Sequence, residues 1–413
     1  MGEWEARVTA PRSLKARLRR ADRRRRLTAV ALVAPLMLFV AFTFAAPLAG
    51  IVWRSVDDRE VARVLPDTIA ALRSWNGHDL PSEPVYRALI DDLRRAKQAG
   101  TIAKAATRLN FDTAGFRSLL FKTAQSLPSE PVASPRDAVV AIDPAWANVE
   151  RWGTIRHAAG PVGPFYLLAA LDMRQRADGN IVRQPEQEAV YVDVLLRTFG
   201  ISLGVTAICL ALGYPLASHL ASLPQRLANP LMMLVLVPFW TSLLVRTSAW
   251  IVILQSHGMV NGVLTSLHLV STPVELLYNR FAVYIAMTHV LLPFMVLPLY
   301  SVMRGISPSY MKAAASLGAG PIRCFLRVYL PLSAPGVASG CLLVFMLAIG
   351  YYILPALVGG GGDRMVSYFI AYFTNGTANW GMASAMSMIL LAVTLLLFGV
   401  YTRLAGSAGI KLS

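Results

Sequence analysis

Apolar positions fall in six long runs separated by polar interruptions: 27–53, 198–223, 231–254, 281–303, 332–358 and 381–403. As helices rising ~1.5 Å per residue, runs of this length cross ~30 Å of hydrocarbon. The pattern therefore predicts six transmembrane helices. Between the first and second runs, 54–197 is a different kind of sequence, with charge throughout and apolar residues at helical spacing over 86–93 and 116–127. Pro81 with Pro84, the stretch 127–135 and the stretch 160–164 read as breaks. A segment this long can bury a modest core of its own. It is predicted to be a soluble, mostly helical insert, and 198–413 a five-helix core.

The interruption at 304–331 carries helix punctuation at both ends. Ser307 is placed to cap a helix whose first residue is Pro308, Ala313 to Ala315 propagate it, and Gly318 is suited to the left-handed conformation that stops it. Pro321 then starts a second helix over 322–330, which Pro331 is expected to end as the next apolar run begins. Small residues at Ala313, Ala314 and Gly318 allow close backbone approach by a partner.

Composition agrees with a membrane protein: 55% of the 413 residues are hydrophobic, 15% are charged, and mean hydropathy is +0.51. The net charge of +16 is unevenly placed. A basic block formed by Arg12, Lys15, Arg17, Arg19, Arg20 and 23–26 immediately precedes the first apolar run, which places the tail 1–26 in the cytoplasm. A cleaved signal peptide is the rival reading, but its apolar region is only ~7–15 residues. The loops that follow keep the same asymmetry. Arg226, Arg304, Lys312, Arg323, Arg327, Arg403 and Lys411 fall on the inner side, against Arg280 and Arg364 outside, so both termini are expected inside. The excess is topogenic and does not read as a nucleic-acid surface. Cys209, Cys324 and Cys341 lie in or beside the apolar half and imply no disulfide framework.

Candidate chemistry is sparse. His78 and His157 are isolated, and no metal cluster or nucleophile–base arrangement is legible. The glycines 359–362 are followed by Asp363 and Arg364, so no GxxxxGK[ST] cradle for a nucleotide exists, and a flexible outer turn accounts for them. No catalytic residue, metal or cofactor is assigned to the chain. Arg246 falls inside an apolar run, where a charge is expensive; it either faces a pathway or partner, or snorkels at the end of its helix. Trp240, Thr241, Trp250, Tyr351, Tyr352 and Trp380 are candidates to line a path, although several aromatics also suit the membrane interface. Gly200/Gly204 and Gly336/Gly340 are small-xxx-small pairs suited to close helix packing.

The loop residues Ala313, Ala314, Gly318, Leu330 and Pro331 resemble the "EAA" coupling loop of binding-protein-dependent ABC importer permeases, with Lys312 where that family usually has glutamate. The runs 212–217, 238–247 and 330–336, together with Ala249 and Trp250, resemble the spermidine/putrescine-type permeases, and the likeness extends from about residue 193 to the C-terminus plus the first helix. It implies an all-α inner-membrane protein with the six-helix type I importer fold. It also implies ATP and magnesium on partner ATPase subunits, a second permease that is a paralogue, a periplasmic solute-binding protein, and a coupling role for Lys312, Ala313, Ala314, Gly318, Leu330 and Pro331. By the same resemblance the cargo is a polyamine, or alternatively an opine or amino-acid derivative. The long insert departs from that family, which usually has a short loop there; so do Tyr351 and Tyr352, where many relatives carry an acid. A secondary transporter would show paired intramembrane carboxylates and inverted repeats, and neither is legible.

Overall fold

A computed structural model describes residues 12–128 and 132–409. The first eleven residues of the basic tail, 129–131 in the expected break, and Lys411 lie outside the described residues. The chain divides into two compact units, Met1–Arg54 and Ser55–Ser413. In the first, one long helix runs from Arg12–Val40 through a π-helical turn, Ala41–Ala45, into Ala46–Arg54, and the candidate span is Leu27–Arg54.

Five further candidate spans are long and apolar enough to cross a membrane: Tyr191–Ser222, Leu243–Ser266, Arg280–Arg304, Pro321–Gly350 and Trp380–Arg403; the second of these is broken at 255–258 into Leu243–Leu254 and Met259–Ser266. Arg280–Arg304 is central, packing on Tyr191–Ser222 and Pro321–Gly350 and burying Met287, Leu291, Met295, Val296 and Leu299. Glycine seams permit this closeness. A Cβ at Gly340 would stand 2.7 Å from Met295 Sδ, and one at Gly336 would stand 3.2 Å from the Pro298 carbonyl oxygen. Gly204 likewise faces Tyr284, whereas Gly200 faces open space.

Three boundaries differ from the apolar runs. The second span begins at Tyr191, seven residues before the run, because Asp172 caps it: its carboxylate accepts from the amides of Val190, Tyr191 and Val192 at 3.1, 2.9 and 2.7 Å. The run 231–254 is not one helix. Gln225–Leu236 passes into the 3₁₀ turn Val237–Trp240, Thr241 and Ser242 are extended, and Leu243–Leu254 follows. Pro238 has no amide to continue the ladder. The fifth span starts at Pro321 and ends at Gly350, where Tyr351 turns extended; it does not break at Pro331. The helix instead widens to a π-turn, Phe325–Tyr329, just before that proline. Pro331 cannot donate and its ring crowds the carbonyl of Arg327, and one wide turn absorbs both defects. Pro47 is accommodated in the same way after Ala41–Ala45.

Residues 55–128 and 132–190 form mostly short helices around buried Trp146, Trp152, Tyr86 and Phe116. The polar ends of the rings are satisfied: Trp146 Nε1 donates to Thr123 Oγ1 at 2.8 Å, and Trp152 Nε1 to the Trp146 carbonyl at 3.0 Å. A two-stranded antiparallel hairpin, Met173–Gln175 with Ile181–Arg183, is the one sheet among the described residues, and the sequence reading did not foresee it. This segment is seated on the spans. Tyr166 and Ala170 join Val194, Val366, Met382, Ala385 and Met386 in one cluster, with the Tyr166 ring filling the space a side chain at Gly381 would need.

Candidate functional site

The polar interruption after the fourth span folds locally as its residues dictate. Ser307 Oγ accepts from the Ser309 amide at 3.4 Å, the helix Pro308–Ser316 follows, and Gly318 sits at φ +82°, the left-handed region that stops it. A Cβ at Gly318 would meet nothing within 4 Å in this chain, so within it the backbone conformation is what favours glycine here. No residue of Pro308–Ser316 is buried. Lys312 and Ala313 are exposed, Ala314 is half-buried, and Leu330 and Pro331 are exposed on the fifth span. Apolar side chains stand out beside the glycine, with Leu317 89% and Ile322 73% exposed.

Both roots of this loop are fixed to the second span, by Arg304, read from the sequence only as an inner-side charge, and Tyr214, read only as part of the run 212–217. Arg304 Nη1, in the last turn of the fourth span, donates to the carbonyls of Ala221 and Leu223 at 2.8 Å each. A cation closing two free carbonyls at a helix C-terminus satisfies both the hydrogen bonds and the helix dipole. On the other side, Tyr214 donates or accepts at 2.9 Å with Ser333 Oγ and meets the Phe325 ring edge-on at a centroid distance of 5.9 Å. The available signal was the position of Arg304 in a last helical turn; for Tyr214 there was none beyond its aromatic character.

The candidate pathway residues are partly brought together. Arg246 lies within electrostatic reach of His289 and Tyr351. Trp250, one turn beyond Arg246, donates from Nε1 to His289 Nδ1 at 3.2 Å. The Arg246 Nε and Nη1 atoms are buried with no hydrogen-bond partner among the described residues, and so is Thr288 Oγ1. Trp250, Tyr284, Thr288 and His289 line an apolar groove of about 550 Å³ between the second, third and fourth spans. His289 was missed because a single histidine in an apolar run carries no pattern. Trp240, 74% exposed, and Thr241 sit at the break before Leu243–Leu254; Tyr352 follows the fifth span, and Trp380 is exposed at the first residue of the last.

Residues 210–408 match the family described as binding-protein-dependent transport system inner membrane component. The spermidine/putrescine transport system permease protein PotB of Escherichia coli K12 is 36% identical over 216 residues, covering 52% of this chain and 78% of that protein. The inner membrane ABC transporter permease protein YdcU of the same organism is 30% identical over 231 residues, 51% of this chain and 71% of that one. The putative 2-aminoethylphosphonate permease PhnU of Salmonella typhimurium LT2 is 27% identical over 234 residues, 55% of this chain and 80% of that one. A solved bacterial ABC transporter for import of the acidic polysaccharide alginate aligns with TM-score 0.44 and 18% identity over 54% of this chain and 80% of its own. The relatives are transport permease subunits rather than enzymes, and ATP hydrolysis belongs to a separate ATPase. The six apolar helices and these relatives make the chain a multi-pass inner-membrane protein. It belongs to the binding-protein-dependent inner-membrane components, as an ABC importer permease of the spermidine/putrescine type.

Proposed function

We propose that this permease passes a small polar nitrogenous solute into the cell, with spermidine or putrescine as the first assignment. The observation that carries it is the 36% identity to a spermidine/putrescine permease over 216 residues, together with the family match over 210–408, which includes Trp240, Arg246 and Trp250. The tails and the loop 304–331 lie in the cytoplasm, and 54–197 faces the periplasm. A binding protein delivers the solute, the path runs between this chain and a paralogous permease, and a pair of ATPase subunits holding ATP and magnesium drives the cycle through Lys312, Ala313, Ala314, Gly318, Leu330 and Pro331.

An opine or amino-acid derivative is the second reading, favoured by the donors of Arg246. Past residue 197 the sequence has only two acids, Glu275 and Asp363, and Asp363 is held by Arg280 at 2.9 Å. A bare polyamine would rely on ring faces, carbonyls and the second permease. Uptake of labelled spermidine and putrescine in a deletion strain tests the assignment; undiminished uptake selects the second reading.

A further inference from the structure

The fifth span is too long for the bilayer. Its 30 residues, Pro321–Gly350, measure ~45 Å as a helix against ~30 Å of hydrocarbon. The excess falls at the Pro321 end, because Arg323 and Arg327 are there and both are exposed, whereas 328–350 carries no charge. The loop therefore joins the fifth span at an end that stands ~10 Å beyond the hydrocarbon edge. The loop is pinned at its roots by Arg304 and Tyr214; it exposes Tyr310, Leu317 and Ile322, and it carries Lys312 on Pro308–Ser316 with Arg323 and Arg327 on the helix that follows. Between residues 305 and 331 there is no acid, and no ion pair engages these three cations among the described residues.

An exposed loop that carries large apolar side chains and three unpaired cations but no acid fits a protein groove with apolar and acidic parts. We propose that the ATPase partnering this permease carries such a groove with an acidic rim, and that Lys312, on the helix that ends at Gly318, selects that ATPase by charge. This rests on the coupling role proposed above and adds the sign of the partner surface. Leu317 supplies contact area, while Lys312 sets which groove accepts it.

The test uses the full-length permease pair in lipid nanodiscs and its own ATPase, measuring ATPase association across a salt series for the wild type and for Lys312→Glu, Lys312→Arg and Gly318→Val. Two disc compositions are compared, phosphatidylcholine alone and phosphatidylcholine with phosphatidylglycerol. The expected result is about tenfold weaker association for Lys312→Glu at low salt, a flatter salt dependence, and near-normal binding for Lys312→Arg in both discs. Replacing a rim carboxylate of the ATPase by lysine is expected to restore Lys312→Glu. If Gly318→Val weakens association while Lys312→Glu does not, the charge reading is overturned and the coupling role stands. If neither variant changes association, both fall. A Lys312→Glu effect confined to discs with phosphatidylglycerol assigns the cations to lipid and overturns the proposal.

Discussion

Arg108 and Asp58, fifty residues apart, meet through two hydrogen bonds of 2.6 Å with both side chains about 1% exposed. The guanidinium also lies over the Phe165 ring at 3.9 Å. Asp58 follows Asp57, which bridges Val162, so the pair ties the start of this segment to the helix Ile102–Asp112 and, through the Phe165 ring, to the stretch around Val162. Removing one partner of a buried pair leaves the other charge stranded, at ~3–5 kcal/mol. Arg108→Met is therefore expected to deprotect amides of 55–170 in hydrogen exchange while the spans keep their protection. Unchanged protection in the insert would refute this tie.

Burial pushes the Asp112 carboxyl up to about 6, with Asp58 and Glu150 adding to the rise and Arg108 and Arg174 opposing it. A carboxyl raised in the fold stabilises below its unfolded value of ~3.9 and loses that contribution as pH rises through about 6. Asp112→Asn, held neutral, is thus expected to stabilise the insert at pH 7.5 by ~1–2 kcal/mol and to do nothing near pH 4. Exchange protection measured at the two pH values checks this; an equal effect at both would refute it.

Gly318→Val places a β-branched residue at a left-handed position that costs ~1–2 kcal/mol. With no neighbour to clash against, the spans are expected to insert and the binding protein to dock normally. Transport and solute-stimulated ATP hydrolysis are expected to be lost, and their persistence would remove the coupling role from this loop.

Gly340→Val makes the complementary test. Its added carbons meet Met295, so overpacking of ~1–3 kcal/mol falls on the fourth and fifth spans. A lowered melting temperature of the detergent-solubilised permease is expected here, and a smaller change for Gly318→Val, whose strain falls on an exposed loop with no buried residue.

Periodicity made the spans legible, and local chemistry made the loop legible: Ser307, Pro308, Gly318 and Pro321 each act through their own backbone, so their effects could be read without partners. What stayed hidden depends on long-range contact. Asp172 starts the second span from eighteen residues away, and Arg304 closes carbonyls about eighty residues earlier. Pro331 misled for a related reason, since a π-turn lets a helix continue through a residue that local rules treat as a stop.

Asp172 itself is strained, at φ +55°, and buried. The cap on the second span thus lies in the segment that precedes it, so trimming this protein toward its spans has a natural cutting limit. Joining Arg54 directly to Val190 would leave three amides at a membrane entrance without an acceptor and would empty the Tyr166 seat over Gly381. A shortened chain that keeps 161–192 would retain both, but Asp58 would also have to be replaced, because its buried carboxylate loses Arg108 when 59–160 is removed.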